Sequence, residues 1–367
     1  MGLKYFRLCT ALILIASGSG IASAEVLTLD DCISLALRNH ESVVDAVGQV
    51  KVYNGNLWLE AGNSFLPGIT ASAYVREIHA TGPEVINGIQ TGQMISGVSK
   101  FYGIGIGAGM TLFNGGRNVH NYLRAKADKK RSEYLLESTR QDIIFLVKQK
   151  YFDYLRALDK KKISEEAVKR GEEQYKLASS KYEVGSASKS DVLKAKVQFG
   201  TDQLGLLSAD NRVRTAHAEL SYIIGIDVNS DAEFSGAYQQ KEYNDTEQAA
   251  LKFGLANHPG LQASAKYVTA SKYDVRSAWG RFLPSVTLNV SRDWSNSRWS
   301  EVKKFNEVDG QWTITTSVNL PIFEQFWKKR ELARTKATLN SARASYYYTR
   351  NNVAYGIKTA YLEITRT

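Results

Sequence analysis

Two periodicities alternate along the chain. Apolar and polar residues alternate with period two over about 67–78, 100–113, 284–294 and 310–320, the spacing of a strand with one apolar face. In the second of these stretches Ile104, Ile106, Ala108, Met110 and Leu112 share one face, and Gly103, Gly105, Gly107, Gly109 and Thr111 the other. In the fourth, Trp312, Ile314, Thr316, Val318 and Leu320 oppose Thr313, Thr315, Ser317 and Asn319. Elsewhere the period is helical. A first helix is predicted over about Leu29–Ser64, capped by Thr28 or Asp30, with connecting loops over about 79–99 and 295–309. From Gly116 to about Val184 apolar residues recur at steps of three and four with hardly a break. At 1.5 Å per residue that helix is roughly 100 Å long. A second starts after Gly185 behind the capping box Ser188-x-x-Asp191 and stops at Gly225. Such lengths point to coiled coils rather than a compact globule.

Comparison of the chain with itself reveals a repeat. Phe65-Leu66-Pro67 recurs as Phe282-Leu283-Pro284, and the Asn39-His40 pair as Asn257-His258, where a shared helix bend is expected. At an offset of about 210 residues Phe113 answers Phe323, and Ala125-Lys126-Ala127 answers Thr335-Lys336-Ala337. Each copy reads helix, strand, loop, strand, helix. The predicted division is a leader over 1–24, a first repeat over 25–230 and a second over 231–367. Nothing in the second copy answers Leu158 to Gly225, so roughly 70 residues are expected to be missing, through a truncated gene product or a partial record.

Composition narrows the classes. Lys4 and Arg7, a short apolar run and Ala22-Ser23-Ala24 form a secretory leader. Beyond it only Cys32 remains, so no internal disulfide can form. The formal charge is +10, but its lysines and arginines are interspersed with acids along helical faces, which favours a solvated surface over a nucleic-acid partner. The five histidines are scattered without ligand spacing. Gly103-x-Gly105-x-x-Ala108 lies inside a strand pattern rather than at the turn a dinucleotide loop needs, and Gly115-Gly116-Arg117 lacks the Lys-Ser/Thr of a phosphate loop. No catalytic, cofactor or metal site is predicted, and no enzyme.

The strand alternation fits a lipid-facing barrel or an antiparallel sheet on a soluble core. Four strands cannot close a barrel in lipid, where open edges are not tolerated, so a barrel reading requires association. Three copies would supply twelve strands. On that reading Ile104, Ile106, Ala108, Met110, Leu112, Trp312, Ile314 and Val318 face lipid, the glycines leave a lumen open, and Phe113-Asn114-Gly115-Gly116 carries the chain from strand to helix.

The chain resembles the TolC family of outer-membrane efflux proteins. The resemblance rests on LTLDDCISLALRNH, FLP before each first strand, LFNGGR at the strand-to-helix passage, YKLASSKYEVGSASKSDVLKAKVQF, AELSYIIGID and the duplication itself. It implies an α+β membrane protein with a duplicated helix–strand–strand–helix unit. Its homotrimer would join a twelve-stranded β-barrel in the outer-membrane lipid to an α-helical coiled-coil barrel in the periplasm. It implies the exit duct of a tripartite efflux pump or a type I secretion system, partnered by a periplasmic adaptor (membrane fusion) protein and an inner-membrane transporter. It also implies adaptor contact at Val184-Gly185-Ser186-Ala187; the residues alone equally allow a plain helix–helix turn. The family's gate falls in the stretch without a counterpart, so no gate residue is assigned. The alternatives are a periplasmic coiled-coil adaptor or interaction protein, which would share the long helical hairpin, and a non-functional truncated member.

Overall fold

The computed structural model describes residues 26–86, 89–235, 243–304 and 310–366; the expected leader, 1–24, lies outside them. The elements run β1 (Val26–Leu27), α1 (Leu29–Asn39), α2 (Glu41–Phe65), β2 (Gly68–Ile86), β3 (Ile89–Phe113), α3 (Arg117–Glu183), α4 (Lys189–Ile224) and β4 (Glu233–Phe234). They continue with α5 (Glu247–Asn257), α6 (Pro259–Gly280), β5 (Ser285–Asn296), α7 (Trp299–Val302), β6 (Gln311–Asn319) and α8 (Trp327–Arg366). The order α1-α2-β2-β3-α3 thus recurs as α5-α6-β5-β6-α8. Two compact units cut across this repeat: one holds the described residues up to His40 together with 143–235, the other the rest.

Two expectations need correction. The helix predicted over 29–64 is broken at His40, whose extended backbone (ψ 128°) ends α1 before α2 begins. His258 (ψ 116°) breaks α5 from α6 at the equivalent place, and its Nδ1 accepts from the Leu261 amide at 3.4 Å. The bend expected at both Asn-His pairs is therefore present. The loop predicted over 79–99 is instead the far end of a hairpin, with β2 and β3 paired as far as Ile86 and Ile89. Its sequence is rich in glycine and polar residues, which hides the alternation that strand assignment relies on. The 295–309 connection does leave the sheet, forming the single turn α7 before the undescribed residues 305–309.

In the first unit α1 opens on a reciprocal cap. Thr28 Oγ1 accepts from the Asp31 amide (3.3 Å), and the Asp31 carboxylate accepts from the Thr28 amide (3.0 Å). Cys32 and Ala36 on one face of α1 are buried with Val147 and Tyr151 of α3 and Leu220 and Ile224 of α4. Burial pushes the Cys32 thiol up to about 11, so it stays protonated and inert. Beside this core β1 and β4 form a short parallel pair, and Tyr154, His217 and Phe234 pack ring against ring. Helices α3 and α4 run antiparallel. Lys150 meets Glu219 at 2.6 Å, Lys161 meets Asp210 at 2.7 Å, and Tyr175 stacks on Phe199 at 6.3 Å.

The second unit contains an antiparallel sheet in the order β2-β3-β5-β6, together with α2, α5, α6, α8 and the start of α3. Small buried residues on α6 (Ala263, Ala270, Ala278) and α8 (Ala342) allow close helix packing. At the end of β3 the chain turns into α3 through Gly115 (φ +71°) and Gly116 (φ +77°). The corner is also a close approach: a Cβ on Gly115 would collide with the Gly280 carbonyl, and one on Gly280 would meet the Gly115 carbonyl oxygen at 2.5 Å. Asn114 fastens it. Its Oδ1 accepts from the Asn118 amide (3.2 Å), while Asn118 Nδ2 donates to the Asn63 carbonyl (3.1 Å) at the end of α2. The same left-handed pair recurs between β6 and α8, but there it is Gln325 (φ +47°) and Phe326 (φ +63°), neither of them glycine.

Above this corner α3, α6 and α8 enclose a polar cavity of about 320 Å³ lined by Asn121, Arg124, Asp274, Arg281, Glu331 and Arg334 among others. One guanidinium, Arg124, serves two carboxylates, Asp128 (3.4 Å) and Asp274 (3.3 Å). Burial raises the pKa of both carboxyls, and the ionised Asp128 raises Asp274 further. Glu331, held by Arg334, is shifted the other way.

Three stability measurements follow. Gly115→Ala adds left-handed strain of about 1–2 kcal/mol to a clash with rigid backbone of about 1–3 kcal/mol. Denaturant titration should show a loss of about 3 kcal/mol, against about 1 kcal/mol for Gly116→Ala, where the nearest atoms are 3.9 Å away. Gln325→Gly should stabilise by up to about 1 kcal/mol, relief of strain outweighing glycine's entropy cost of about 0.5–1 kcal/mol. For Asp274 the raised folded pKa means its contribution is favourable at low pH and lost as pH rises through that value. Asp274→Asn should therefore raise the melting midpoint at pH 7, and the gain should shrink as the pH falls towards 4, as the folded wild-type carboxyl takes up its proton.

Candidate functional site

Strand register sorts the sheet into two chemically distinct faces. Directly opposed residues share a face, and Ile69, Ala108, Val290 and Ile314 lie opposite one another across all four strands. The neighbouring rows are Met110–Leu288–Thr316, Ala71–Ile106–Arg292–Trp312 and Ala73–Ile104–Trp294. Of the expected outward residues, Ile106, Leu112, Trp312, Ile314 and Val318 are exposed, the last two by 71% and 70%, and Ile104, Ala108 and Met110 are half-buried. Leu112 sits at a bulge: Thr111 pairs with Thr287, then Phe113 pairs with Val286. Phe113 therefore takes the next place in the apolar row, and Leu112 is the extra residue.

This apolar row has clear ends. On β5 it runs from Val286 to Trp294, about 26 Å along the strand. Past Val75 and Tyr102 the outward positions become Glu77, Lys100 and His79, with Lys100 and His79 paired to Glu77 at 3.1 and 3.2 Å. At the other end Phe65, Leu66, Leu283, Phe323, Phe326 and Trp327 stand exposed beside Lys329 and Arg330.

The opposite face carries Thr70, Ser72, Asn289, Ser291, Asp293, Thr313 and Thr315 beside the glycine row. The glycines do not simply leave space. A Cβ on Gly103 would strike the Tyr74 ring, one on Gly105 the Asp293 carboxylate, and one on Gly109 the Asn289 amide. Missing side chains on β3 let the long polar side chains of β2 and β5 lie across it. Only at Gly107 is the row bare, with no neighbour closer than 3.7 Å.

The expected tip residues lie together in the first unit, between α3 and α4. The Gly185 amide donates to the Tyr182 carbonyl (2.9 Å) and the Ser186 amide to the Lys181 carbonyl (2.8 Å), the pattern of a Schellman C-cap. Gly185 supplies the left-handed residue (φ +75°), and no atom lies within 4 Å of where its Cβ would be. Val184 is 79% exposed. The next helix starts at once: Ser188 caps α4, and its hydroxyl and amide hold the Asp191 carboxyl below its ordinary pKa. The tip thus presents an open apolar–glycine–small surface on a rigid double cap.

Arg292 and the Gln325–Phe326 pair are not picked out by sequence reasoning. The 210-residue offset places Gln325 and Phe326 directly against Gly115 and Gly116, which would have flagged the second corner. Arg292 continues the outward alternation of Val286, Leu288 and Val290 with a charge, an exception visible once that row is extended. Among the described residues no helix is long and apolar enough to cross a membrane, and no group of three His, Cys, Asp or Glu side chains could hold a metal ion.

The outer membrane efflux protein family matches residues 32–226 and 251–367. The chain is 23% identical to the outer membrane efflux protein BepC of Brucella suis over 71% of its length and 56% of that protein. It is 24% identical to the probable efflux pump outer membrane protein TtgC of Pseudomonas putida, over 75% of its length and 55% of that protein. It therefore spans just over half the length of these curated relatives. In fold it is similar to the Campylobacter jejuni CmeC outer membrane channel (TM-score 0.78, 20% identity, 91% of this chain and 71% of that one). It is also similar to the open state of the Neisseria gonorrhoeae MtrE outer membrane channel (TM-score 0.71, 19% identity, 91% and 71%). With most of its length matched by that family, the chain belongs to the outer membrane efflux proteins, a family of the outer membrane.

Proposed function

We propose that the chain is the outer-membrane exit duct of an efflux assembly, passing small molecules through a lumen without doing chemistry on them. The observation that carries this reading is the four-stranded sheet: exposed apolar residues on one face, polar residues and glycines on the other, and an open edge at each side, β2 and β6. In hydrocarbon each unpaired backbone group costs several kcal/mol, so such a sheet must be closed by other copies. Three chains supply twelve strands, within the range of bacterial barrels, whereas one or two would fall short of or only reach the smallest. Apolar side chains exposed along the helices, including Phe145, Ile163, Val197 and Leu204, are surfaces that a homotrimer would cover.

On this reading Ile104, Ile106, Ala108, Met110, Trp312, Ile314 and Val318 meet lipid, with Leu112 at the bulge beside them. A row of about 26 Å, shortened to about 20 Å by a tilt of about 40°, is on the scale of the ~25 Å apolar band of such barrels. Val184, Gly185, Ser186 and Ala187 receive the helical hairpin of a periplasmic adaptor, which links the duct to an inner-membrane transporter. Efflux is favoured over type I protein secretion because the matched relatives are named as efflux proteins. The two repeats, 25–230 and 231–367, are then two copies of one helix–strand–strand–helix unit.

The tip separates stability from coupling. Gly185→Ala meets no neighbour and should cost about 1 kcal/mol of backbone strain, with export largely kept in cells that supply the adaptor and transporter. Gly185→Trp adds bulk where the hairpin would dock, and should abolish drug export while the yield of cross-linked trimer is unchanged. Wild-type export by Gly185→Trp would remove the adaptor assignment. A cross-linking ladder that ended at two or four chains would remove the twelve-stranded barrel.

A further inference from the structure

The outward face of the sheet carries one charge within its apolar rows. Arg292 lies between Ile106 of β3 and Trp312 of β6 in the register, one place before Trp294. Its guanidinium stacks over both indoles, 4.8 Å from the Trp294 ring centre and 5.3 Å from that of Trp312. Among the described residues its Nε is buried without a hydrogen-bond partner. Asp293, the adjacent acid, points to the polar face, where it accepts from Ser291 (2.8 Å). Two residues beyond the sheet the basic and aromatic pattern continues. Arg298 is exposed, Lys303 Nζ lies 5.9 Å from the Trp299 ring centre, and Trp299 packs on Tyr102 at 6.0 Å.

The position of this cluster decides what it can meet. Arg292 and Trp294 lie on the hairpin side of the apolar rows, with one further row, Val75–Tyr102–Asn296, before the outward positions turn to Glu77, Lys100 and His79. An arginine on a lipid-facing strand is disfavoured at mid-bilayer and tolerated near the interface, and its long stem can carry the charge toward headgroups. A guanidinium seated on indole rings can offer its outer Nη pair to phosphate in a bidentate hydrogen bond, while its buried Nε stays between the rings. The end of the sheet that bears it is the one from which the β2–β3 hairpin projects, away from the strand-to-helix corners, which is the outer-leaflet end if the helices are periplasmic.

We propose that Arg292, clamped by Trp294 and Trp312 with Lys303 and Trp299 nearby, binds the phosphate of a phosphorylated lipid headgroup in the outer leaflet. The proposal rests on the reading that the apolar face meets lipid. It predicts that each chain binds this lipid in preference to its dephosphorylated form, through charge complementarity rather than acyl contact.

The test is native mass spectrometry of the full chain in detergent, titrated with bisphosphorylated lipid A and with the same lipid after phosphate removal. Wild type should bind the phosphorylated form about fivefold more tightly, as expected for one basic side chain at a lipid surface. Arg292→Gln should lose that preference and Arg292→Lys should keep part of it. A preference unchanged in Arg292→Gln overturns the proposal, as does full competition by millimolar inorganic phosphate, which would mark a free-anion site. Quenching of tryptophan fluorescence by brominated acyl chains, in vesicles containing the chain, tests the underlying reading separately. Absence of quenching would remove the lipid-facing assignment and this proposal together; quenching with an unchanged lipid preference would remove only the headgroup contact.

Discussion

A backbone amide without a partner is harmless in water and costs several kcal/mol in hydrocarbon. The sheet of this protein ends in two rows of such groups, at β2 and β6, and on the proposed reading most of its other features answer to them. The strands leave the apolar band only where their outward residues become charged, at Glu77 and Lys100 on one side. At the other end the chain cannot wander, since loose backbone at that depth would add to the unpaired groups. It turns from strand to helix within two left-handed residues instead. The helices that follow carry their own backbone hydrogen bonds and can leave the sheet in any number that the subunit contacts close.

The helical part obeys a softer rule. Alanines at Ala263, Ala270, Ala278 and Ala342 let axes approach, so packing is dense without large side chains. Across the hairpin, Lys150 with Glu219 and Lys161 with Asp210 register α3 against α4. These pairs are part-exposed and contribute little to stability individually; their value is in choosing one register among several that an apolar stripe would allow. The Arg124 cluster differs, because two half-buried carboxylates share one guanidinium and the partial burial of each raises its pKa.

Much of this was legible in the sequence, for identifiable reasons. Side-chain period two is strict in Ile104-x-Ile106-x-Ala108-x-Met110, so the strand and its two faces could be assigned without coordinates. The long helices were legible because few prolines interrupt the chain, and the caps at Ser188 and Gly225 because their chemistry is local. What failed was the hairpin over 79–99, where glycine and polar residues interrupt the alternation from which a strand is read. The bulge at Leu112 also escaped, since one inserted residue shifts register without changing composition. So did the occupants of the glycine row: that Tyr74, Asp293 and Asn289 lean across it depends on neighbours brought together only by strand pairing.

The two strand-to-helix corners share a backbone path and differ in residues. Gly115 and Gly116 adopt it freely, while Gln325 and Phe326 adopt it against their steric preference. Strain of that kind persists only where the surroundings over-determine the conformation, and here the first copy shows that two glycines would have sufficed. Phe326 is 71% exposed and packs edge-on against Phe323 at 5.7 Å, so its side chain contributes to the outer surface rather than to the core. The second corner is therefore a place where this chain forgoes stability it could have, leaving an unspent reserve that any later destabilising change elsewhere in the protein could draw on by a single reversion toward glycine.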